Sequence, residues 1–412
     1  MPSESLIVGL DIGTTKVCAI LAEFNEDSVL EILGVGTSPS FGLRRGVVIN
    51  IESTLKSVTA AIESAEQMAG REVESVFTGI AGGHIEGLNS RGVVAVTGRG
   101  REITQADVDR VLEAAKAVVI PMDREVLHVI PQEFIVDEQG GIKNPLDMIG
   151  VRLEAEVHII TGSVTSAQNL IKCVNRAGFR VNGIVLDSLA AARAVLTKDE
   201  KELGVLMIDL GGGTTDILVY FDGAPYFTSV ISIGGAQVTG DLSIMLKTPV
   251  DAAERIKRES GCCYMPLIEE SEPVIIPGVG GRPPLAVDRR HICSIIQPRM
   301  AEILTMVREK VEKKGLLSNL GGGVVLTGGG ALLPGTVDLA QDIFGVAARV
   351  GQPGDNGGLR HEYQSAEYAT AVGLVLYGAS VAQTEGIEPP VKERPTNGVM
   401  NALGKWIRNF FE

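Results

Sequence analysis

The sequence has little that would suit an export, a zinc or a nucleic-acid-binding chain. Its five cysteines, Cys18, Cys173, Cys262, Cys263 and Cys293, form no C-x-x-C pair and are odd in number. They read as reduced thiols, mostly buried as small hydrophobes. The vicinal pair Cys262-Cys263 has no neighbouring feature that assigns it a role. Basic residues are outnumbered, 37 against 51 acidic, giving a net charge of −14. Nucleic acid is therefore a poor partner, because a duplex binder normally needs a basic face. The opening "MPSESLIVGLDIG" lacks a basic region followed by an apolar run and a small-residue cleavage site, so no signal peptide is expected. No apolar run reaches the ~18 residues of a spanning helix. The expected location is the cytoplasm, or a membrane surface met without crossing. Aromatics make up only 4% of the chain, and the one tryptophan lies near the C-terminus.

What is present is an apolar, glycine-rich chain of 412 residues, 45% hydrophobic with 50 glycines. That composition fits a globular α/β protein, and the length requires two or more domains. "LIVGLDIGTTKVCAILAEF" reads as two apolar strands joined by a Gly/Thr turn, and "GVLMIDLGGGTTDILVYF" reads the same way. Each gives an apolar run, Asp, Ile or Leu, Gly, a turn, Thr-Thr and a second apolar run. Such a distant pair predicts one domain type used twice.

Between the copies, one helix is predicted from about Gln105 to Val118 with Thr104 as its N-cap. "VRLEAEVHI" alternates, predicting a half-buried strand with Arg152, Glu154, Glu156 and His158 on a solvated outer face. After the second copy come a helix-rich stretch, a Pro/Gly-rich loop through Pro284, and a long amphipathic helix ended by Gly315. "AEYATAVGLVLYGASVA" is rich in small residues suited to close helix packing. "QTEGIEPPVKERPTNG" reads as an extended linker.

The chemistry concentrates in the two turns, Asp11 to Lys16 and Asp209 to Asp216. Glycine turns let backbone N–H groups approach an anion closely, and threonine hydroxyls add donors. These are Gly13, Thr14 and Thr15 in the first turn, and Gly211, Gly212, Gly213, Thr214 and Thr215 in the second. Asp11 and Asp209 place a carboxylate beside that anion, an arrangement suited to a hydrated Mg2+ bound through water. Lys16 can neutralise phosphate charge. A third loop, "TGGGALLPG" from Thr327 to Gly335, follows an apolar strand and precedes a helix, so a nucleotide could approach Gly328, Gly329 and Gly330. Neither a Walker A loop nor a Rossmann fingerprint is present.

Together these residues resemble the actin/sugar-kinase/heat-shock chaperone ATPase superfamily. The resemblance implies a duplicated, ribonuclease H-like α/β fold of four subdomains that clamps ATP with Mg2+ between its halves. It places Asp216, Gly235 and Leu332 in the nucleotide site. "AERIKRESG" is similar to the segment lining adenine and ribose, which adds Glu254, Lys257 and the neighbouring Arg258. "GIVLDSLAAARAVL" is similar to the first connecting helix, with Asp187 near the attacking water. The resemblance thus offers Asp187 and Asp209 as catalytic residues. Without it, Asp187 reads as a helix N-terminal acid, and Glu254 with Lys257 as a solvated helix pair.

Within the superfamily, "GHIEGLNSRG", "HVIPQEFIVDEQGGIKNPLDMIGVRLEAEVHIITG" and "IIQPRMAEIL" resemble the FtsA family of bacterial cell-division actin homologues. A departure is Ala81 in "AGGHI", where that family more often has serine. The resemblance implies subdomain 1A over residues 1–82 and 161–200 and an inserted SHS2-like subdomain 1C over 83–160. It implies 2A over 201–240 and 318–381, and 2B over 241–317. A flexible linker would cover 382–397 and an amphipathic membrane-targeting helix 398–412. It also implies self-assembly into actin-like filaments, docking of the C-terminal peptide of the ring protein FtsZ on 2B, other division proteins meeting 1C, and at most weak ATPase activity. The expected place is the cytoplasmic side of the cell membrane at the division site. Arg282, Arg289 and Arg290 form a candidate basic patch for a partner peptide, with solvated surface as the plainer reading.

On a helix, Val399, Met400, Leu403, Trp406, Ile407, Phe410 and Phe411 share one face of the tail. Its span of roughly 20 Å at 1.5 Å per residue is short of the ~30 Å hydrocarbon core, so it can lie in the interface but not cross. Competing readings are a small-metabolite kinase of the superfamily, a chaperone, and a pilus-assembly-type actin-like binding module. A kinase needs a substrate cleft with a base. A chaperone needs a peptide-binding β-domain.

Overall fold

The structure, a computed structural model, describes residues 6–97, 100, 102–269, 273–278, 280, 283–354 and 363–385. The expected tail helix and its seven apolar residues, and Arg282 of the candidate patch, lie outside the described residues.

The first half opens with an antiparallel meander, β1 (Ile7–Ile12), β2 (Lys16–Phe24) and β3 (Leu30–Pro39), followed by a small hairpin of β4 (Leu43–Arg44) and β5 (Val47–Val48). Helix α1 (Ile51–Ala69) starts where the Asn50 side chain accepts the Ser53 N–H and stops at left-handed Gly70. It lies so close on β3 that a Cβ at Gly36 would sit 2.0 Å from the Ala61 carbonyl oxygen. Strand β6 (Ser75–Ile80) then pairs parallel with β1.

The insert follows as β7 (Glu86–Ala95), α2 (Gln105–Lys116), β8 (Arg124–Val136), β9 (Gln139–Ile142) and β10 (Arg152–Ser163). It forms its own antiparallel sheet, ordered β7-β10-β8-β9. Helix α2 covers one face, burying Val108, Val111 and Leu112 against Leu153, Ala155, Val157 and Ile159. The predicted helix is present, two residues shorter at its end than expected. At its start the Asp107 carboxylate accepts both the backbone N–H and the hydroxyl of Thr104.

The expectation of a solvated outer face on β10 holds for the exposed Arg152 and is overturned at Glu154 and His158, with Glu156 half-buried. Glu154 and His158 are buried. The Glu154 carboxylate receives Arg91 at 2.5 Å and Arg152 at 2.8 Å. The His158 ring lies between Asn89 Oδ1 at 2.6 Å and Thr228 Oγ1 at 2.9 Å. Alternation shows which residues share a face, but not whether another sheet covers it. Here a strand of the second half does.

The chain returns through α3 (Val164–Arg176), β11 (Arg180–Leu186) and α4 (Asp187–Val195), then α5 (Lys198–Leu203). The second half repeats the plan with β12 (Val205–Leu210), β13 (Thr215–Phe221) and β14 (Ala224–Ile231). Helices α6 (Gly235–Leu246) and α7 (Val250–Ser260) follow, then β15 (Pro273–Ile276), β16 (Leu285–Asp288) and α8 (Arg289–Glu312). The region read as a plain loop through Pro284 therefore contains a hairpin strand, since β15 pairs antiparallel with β16. The half closes with β17 (Val324–Thr327), α9 (Thr336–Phe344), β18 (Ala348–Val350) and α10 (Ala369–Glu385). Helix α10 runs into the stretch expected to be linker, as far as Glu385, the last described residue.

The duplication is visible in strand order. The sheets run β3-β2-β1-β6-β11 and β14-β13-β12-β17-β18, each an antiparallel meander extended by two parallel strands. Strand β12 is buried along its whole length, as expected for a central strand covered on both faces. Helices α4 and α10 cross between the halves, where a Cβ on Gly373 would lie 1.8 Å from the Ala190 carbonyl oxygen.

Candidate functional site

The two predicted turns face one another. Each is closed by the same hydrogen bond, Gly13 N–H to the Lys16 carbonyl and Gly211 N–H to the Thr214 carbonyl, both at 3.0 Å. The strand registers Ile12↔Val17 and Leu210↔Thr215 complete the match. This corrects the sequence alignment. Thr14-Thr15 corresponds to Gly212-Gly213, not to Thr214-Thr215, because hairpin closure rather than residue identity sets equivalence.

The mismatch is what lets the turns interlock. A Cβ on Gly212 would lie 2.4 Å from Thr15 Cγ2, and one on Gly213 would lie 2.6 Å from Thr14 Oγ1. Threonines of one half thus occupy the space that missing side chains leave in the other. Thr14 Oγ1 also accepts the Gly46 N–H from the β4–β5 hairpin. Thr215 is turned inward, its hydroxyl donating to the Ile233 carbonyl at 2.8 Å.

Four carboxylates gather behind these turns: Asp11 ends β1, Asp209 ends β12, Asp216 stands opposite Asp209 on β13, and Asp187 begins α4. Burial is the main cause that lifts each of them. Asp11 rises from 3.8 to about 7, with Lys16 opposing and Asp209 adding to the rise. Asp209 rises to about 6, held back by the Thr370 hydroxyl at 3.3 Å and by Lys16. Asp216 reaches about 8, pushed further by Asp209. Asp187 is raised well above its ordinary value, with Asp11, Asp216 and Asp209 adding to burial. Asp187 Oδ1 and Asp216 Oδ1 are buried without a hydrogen-bond partner. A Cβ on Gly79 would come within 2.0 Å of Asp187 Oδ1, and one on Gly328 within 2.2 Å of Asp209 Oδ1, so each acid uses the space left by a glycine.

Lys16 does not reach across the turn. Its Nζ donates to the Glu367 carbonyl at 2.9 Å and Glu367 Oε2 at 3.2 Å, and lies 3.8 Å from the Tyr368 ring centroid. Gly235 docks α6 onto the second turn through its N–H to the Gly211 carbonyl at 2.9 Å. Lys257 Nζ meets Glu254 Oε2 at 2.7 Å, Thr239 Oγ1 at 3.0 Å and the Gly235 carbonyl at 3.2 Å, so this pair is a bridge between α6 and α7 rather than a solvated pair. In the third loop, Gly328 has φ +79° and Gly330 packs on Leu210, whereas a Cβ on Gly329 would meet open space. Leu332 is exposed.

The two described arginines of the candidate basic patch are already engaged. Arg289 donates to the Ser260 carbonyl, and Arg290 to the carbonyls of Ile268 and Glu269. All five cysteines are buried and free. Among the described residues, no group of three or more His, Cys, Asp or Glu side chains could hold a metal ion directly, and no helix is long and apolar enough to cross a membrane. The sequence reading missed Gly79, Thr370, Glu367 and His84. Only the glycine in "TGIAGGHI" gave a local signal. The others reach the cleft by tertiary packing.

Two family profiles match the chain: "Cell division protein FtsA" over residues 206–373 and "SHS2 domain inserted in FTSA" over 82–161. Cell division protein FtsA of Borreliella burgdorferi is 52% identical over 376 residues, 91% of each chain. That of Pseudomonas aeruginosa is 45% identical over 415 residues, 99% of each chain. That of Escherichia coli K12 is 41% identical over 418 residues, again 99% of each. Among solved structures, a chain of the PilM-PilN type IV pilus biogenesis complex superposes with a TM-score of 0.66 at 16% identity, covering 90% of this chain and 98% of that one. MreB5 of Spiroplasma citri bound to ADP gives 0.53 at 14% identity, covering 92% and 96%. At such identities the likeness is one of fold, and the fold is actin-like.

Proposed function

This chain belongs to the FtsA family of cell division proteins, and from that premise we propose that it binds ATP with Mg2+ between its two halves, polymerises on the inner face of the cytoplasmic membrane and tethers the FtsZ ring there. The observation that carries the nucleotide reading is the stack of four buried carboxylates behind two interlocked glycine turns. Burying several like charges is costly unless a cation relieves them. Bound Mg2+-ATP would supply that cation together with a polyphosphate able to touch both turns.

The residues fit that group. Asp11 and Asp209 flank the turns and would hold Mg2+ through water. Gly13, Thr14, Gly212 and Gly213 would line the phosphates. The open space beside Gly329 and the exposed Leu332 would meet the adenosine end, with Glu254 and Lys257 opposite. Asp187 and Asp216 present unpartnered oxygens on the same side. Contacts made to both halves favour the closed arrangement, so the nucleotide would work as a conformational latch more than as fuel.

The tail supplies the membrane part of the proposal. Val399, Met400, Leu403, Trp406, Ile407, Phe410 and Phe411 would form its buried stripe. Lys405 and Arg408 are offset by Glu412 and the terminal carboxylate, so apolar burial carries the binding. One copy binds modestly, and many copies on a filament bind far better through effective concentration. Deleting residues 398–412 should abolish co-sedimentation with liposomes while ATP binding measured by titration stays intact. Continued sedimentation of the truncated chain would remove the tail as the anchor. Filaments lying flat on lipid monolayers with ATP would support scaffold and anchor together. Rapid ATP consumption with a small metabolite would instead favour the kinase reading.

A further inference from the structure

A cavity of about 40 Å³ lies beside the first turn, between the β4–β5 hairpin and α3, lined among others by Gly13, Thr14, Thr214, Ser166, Asp187 and His84. Two of these lining residues each carry a buried polar atom without a hydrogen-bond partner, Asp187 Oδ1 and His84 Nε2. The chemistry of the pair is complementary. His84 Nδ1 accepts the Ser163 N–H at 3.3 Å. Burial, and then the Arg124 charge, hold the imidazole below its usual 6.5, so the ring is neutral at pH 7. A neutral imidazole that accepts at Nδ1 carries its proton on Nε2. The cavity therefore has an N–H donor on one wall and a carboxyl oxygen on another. A molecule that accepts from the first and gives to the second, in so small a space, is water.

We propose that His84 is a positioning residue of the nucleotide site, whose Nε2–H and the Asp187 carboxyl group together hold one water beside the first turn. The proposal rests on the reading that this cleft binds ATP. It also gives the insert a direct tie to the cleft. His84 precedes β7 and Ser163 ends β10, so the imidazole joins the two points where the insert leaves and re-enters the first half. Whatever occupies the cavity acts at both of those roots.

The two ring nitrogens have separable jobs, and two substitutions separate them. His84→Asn retains an acceptor near Nδ1 and loses the Nε2 donor. His84→Gln retains a donor near Nε2 and loses the Nδ1 acceptor. In the nucleotide-free full chain labelled with 15N-histidine, NMR should show the His84 ring neutral at pH 7, protonated on Nε2, with its Hε2 giving a cross-peak to a bound water. A ring protonated on Nδ1, or no bound water, would overturn the proposal. With Mg2+-ATP, His84→Asn should lower kcat about tenfold or more with KM within about threefold, while His84→Gln stays within about threefold of the unaltered protein. The reverse pattern, a loss in His84→Gln with His84→Asn unchanged, would show that His84 only braces Ser163, and equal losses in both variants would refute the separate roles. If the unaltered chain fails to bind a non-hydrolysable ATP analogue, the nucleotide reading falls, and the NMR measurement still decides the water site.

Discussion

Placing a methyl group on Gly212 tests the interlocked turns directly. On the present backbone the new Cβ would lie 2.4 Å from Thr15 Cγ2, 2.7 Å from Thr15 Oγ1 and 3.1 Å from Thr15 Cβ. Non-bonded carbons prefer about 3.5–4.0 Å, so the turns must separate by about 1 Å. Gly212 is not among the positive-φ glycines, so alanine suits its backbone and the strain is purely one of contact. Thr15 belongs to the first half and Gly212 to the second, so the wedge acts across the cleft and leaves each core intact. Overpacking costs about 1–3 kcal/mol. A penalty confined to the closed arrangement lowers the affinity of a ligand that requires it by the same free energy. At 1.4 kcal/mol per factor of ten, Mg2+-ATP affinity should fall about 5- to 150-fold. The unfolding midpoint without nucleotide should hardly move. Calorimetric titration with a non-hydrolysable analogue reads the first quantity, and a thermal scan the second. Thr15→Ala removes the two nearest atoms, so the double variant should bind within about threefold of Thr15→Ala alone. Simple addition of the two single losses would refute the interlock.

The remaining predictions concern charge, burial and helix crossing. Asp209 and Asp216, raised from 3.8 to about 6 and about 8, keep protons in the folded chain that the unfolded chain has released, so their contribution to stability falls as pH rises from about 4 to 8. Asp209→Asn should therefore raise the nucleotide-free melting temperature more at pH 8 than at pH 5, and a pH-independent difference would contradict the cluster. His158→Leu should cost about 2 kcal/mol in denaturant unfolding by stranding Asn89 and Thr228, and a loss under about 0.5 kcal/mol would mean that this contact is incidental. Gly373→Ala should destabilise by about 3 kcal/mol, because its Cβ would meet the Ala190 carbonyl oxygen at 1.8 Å. A melting temperature within about one degree of the unaltered protein would show that α4 and α10 can slide apart cheaply.

Much of this protein is written locally in its sequence. Strands β1 and β12 could be read because a buried strand is a nearly unbroken apolar run, and the turns after them because glycines between two apolar runs mark a tight reversal. The duplication was legible for the same reason. The presence and start of α2 were legible because a capping residue and an apolar stripe are local signals, whereas its end came two residues early. Residues whose role depends on what lies opposite were not. His158 and Glu154 look solvated on an alternating strand, yet both are buried, His158 against Thr228 of β14 and Glu154 under Arg91 and Arg152. Arg289 and Arg290 look like a free patch until the loop from Ser260 to Glu269 takes their donors.

The sequence by itself determined the apolar runs, the two acid-glycine turns and the third glycine loop, since each depends on the order of neighbouring residues. Tertiary structure alone decided that Thr14-Thr15 meets Gly212-Gly213, that four carboxylates share one site, and that Lys16 turns to Glu367 and Tyr368. Those partners stand up to about 350 positions apart along the chain. Packing brings them together through shape and strand register, and neither quantity is carried by any one segment.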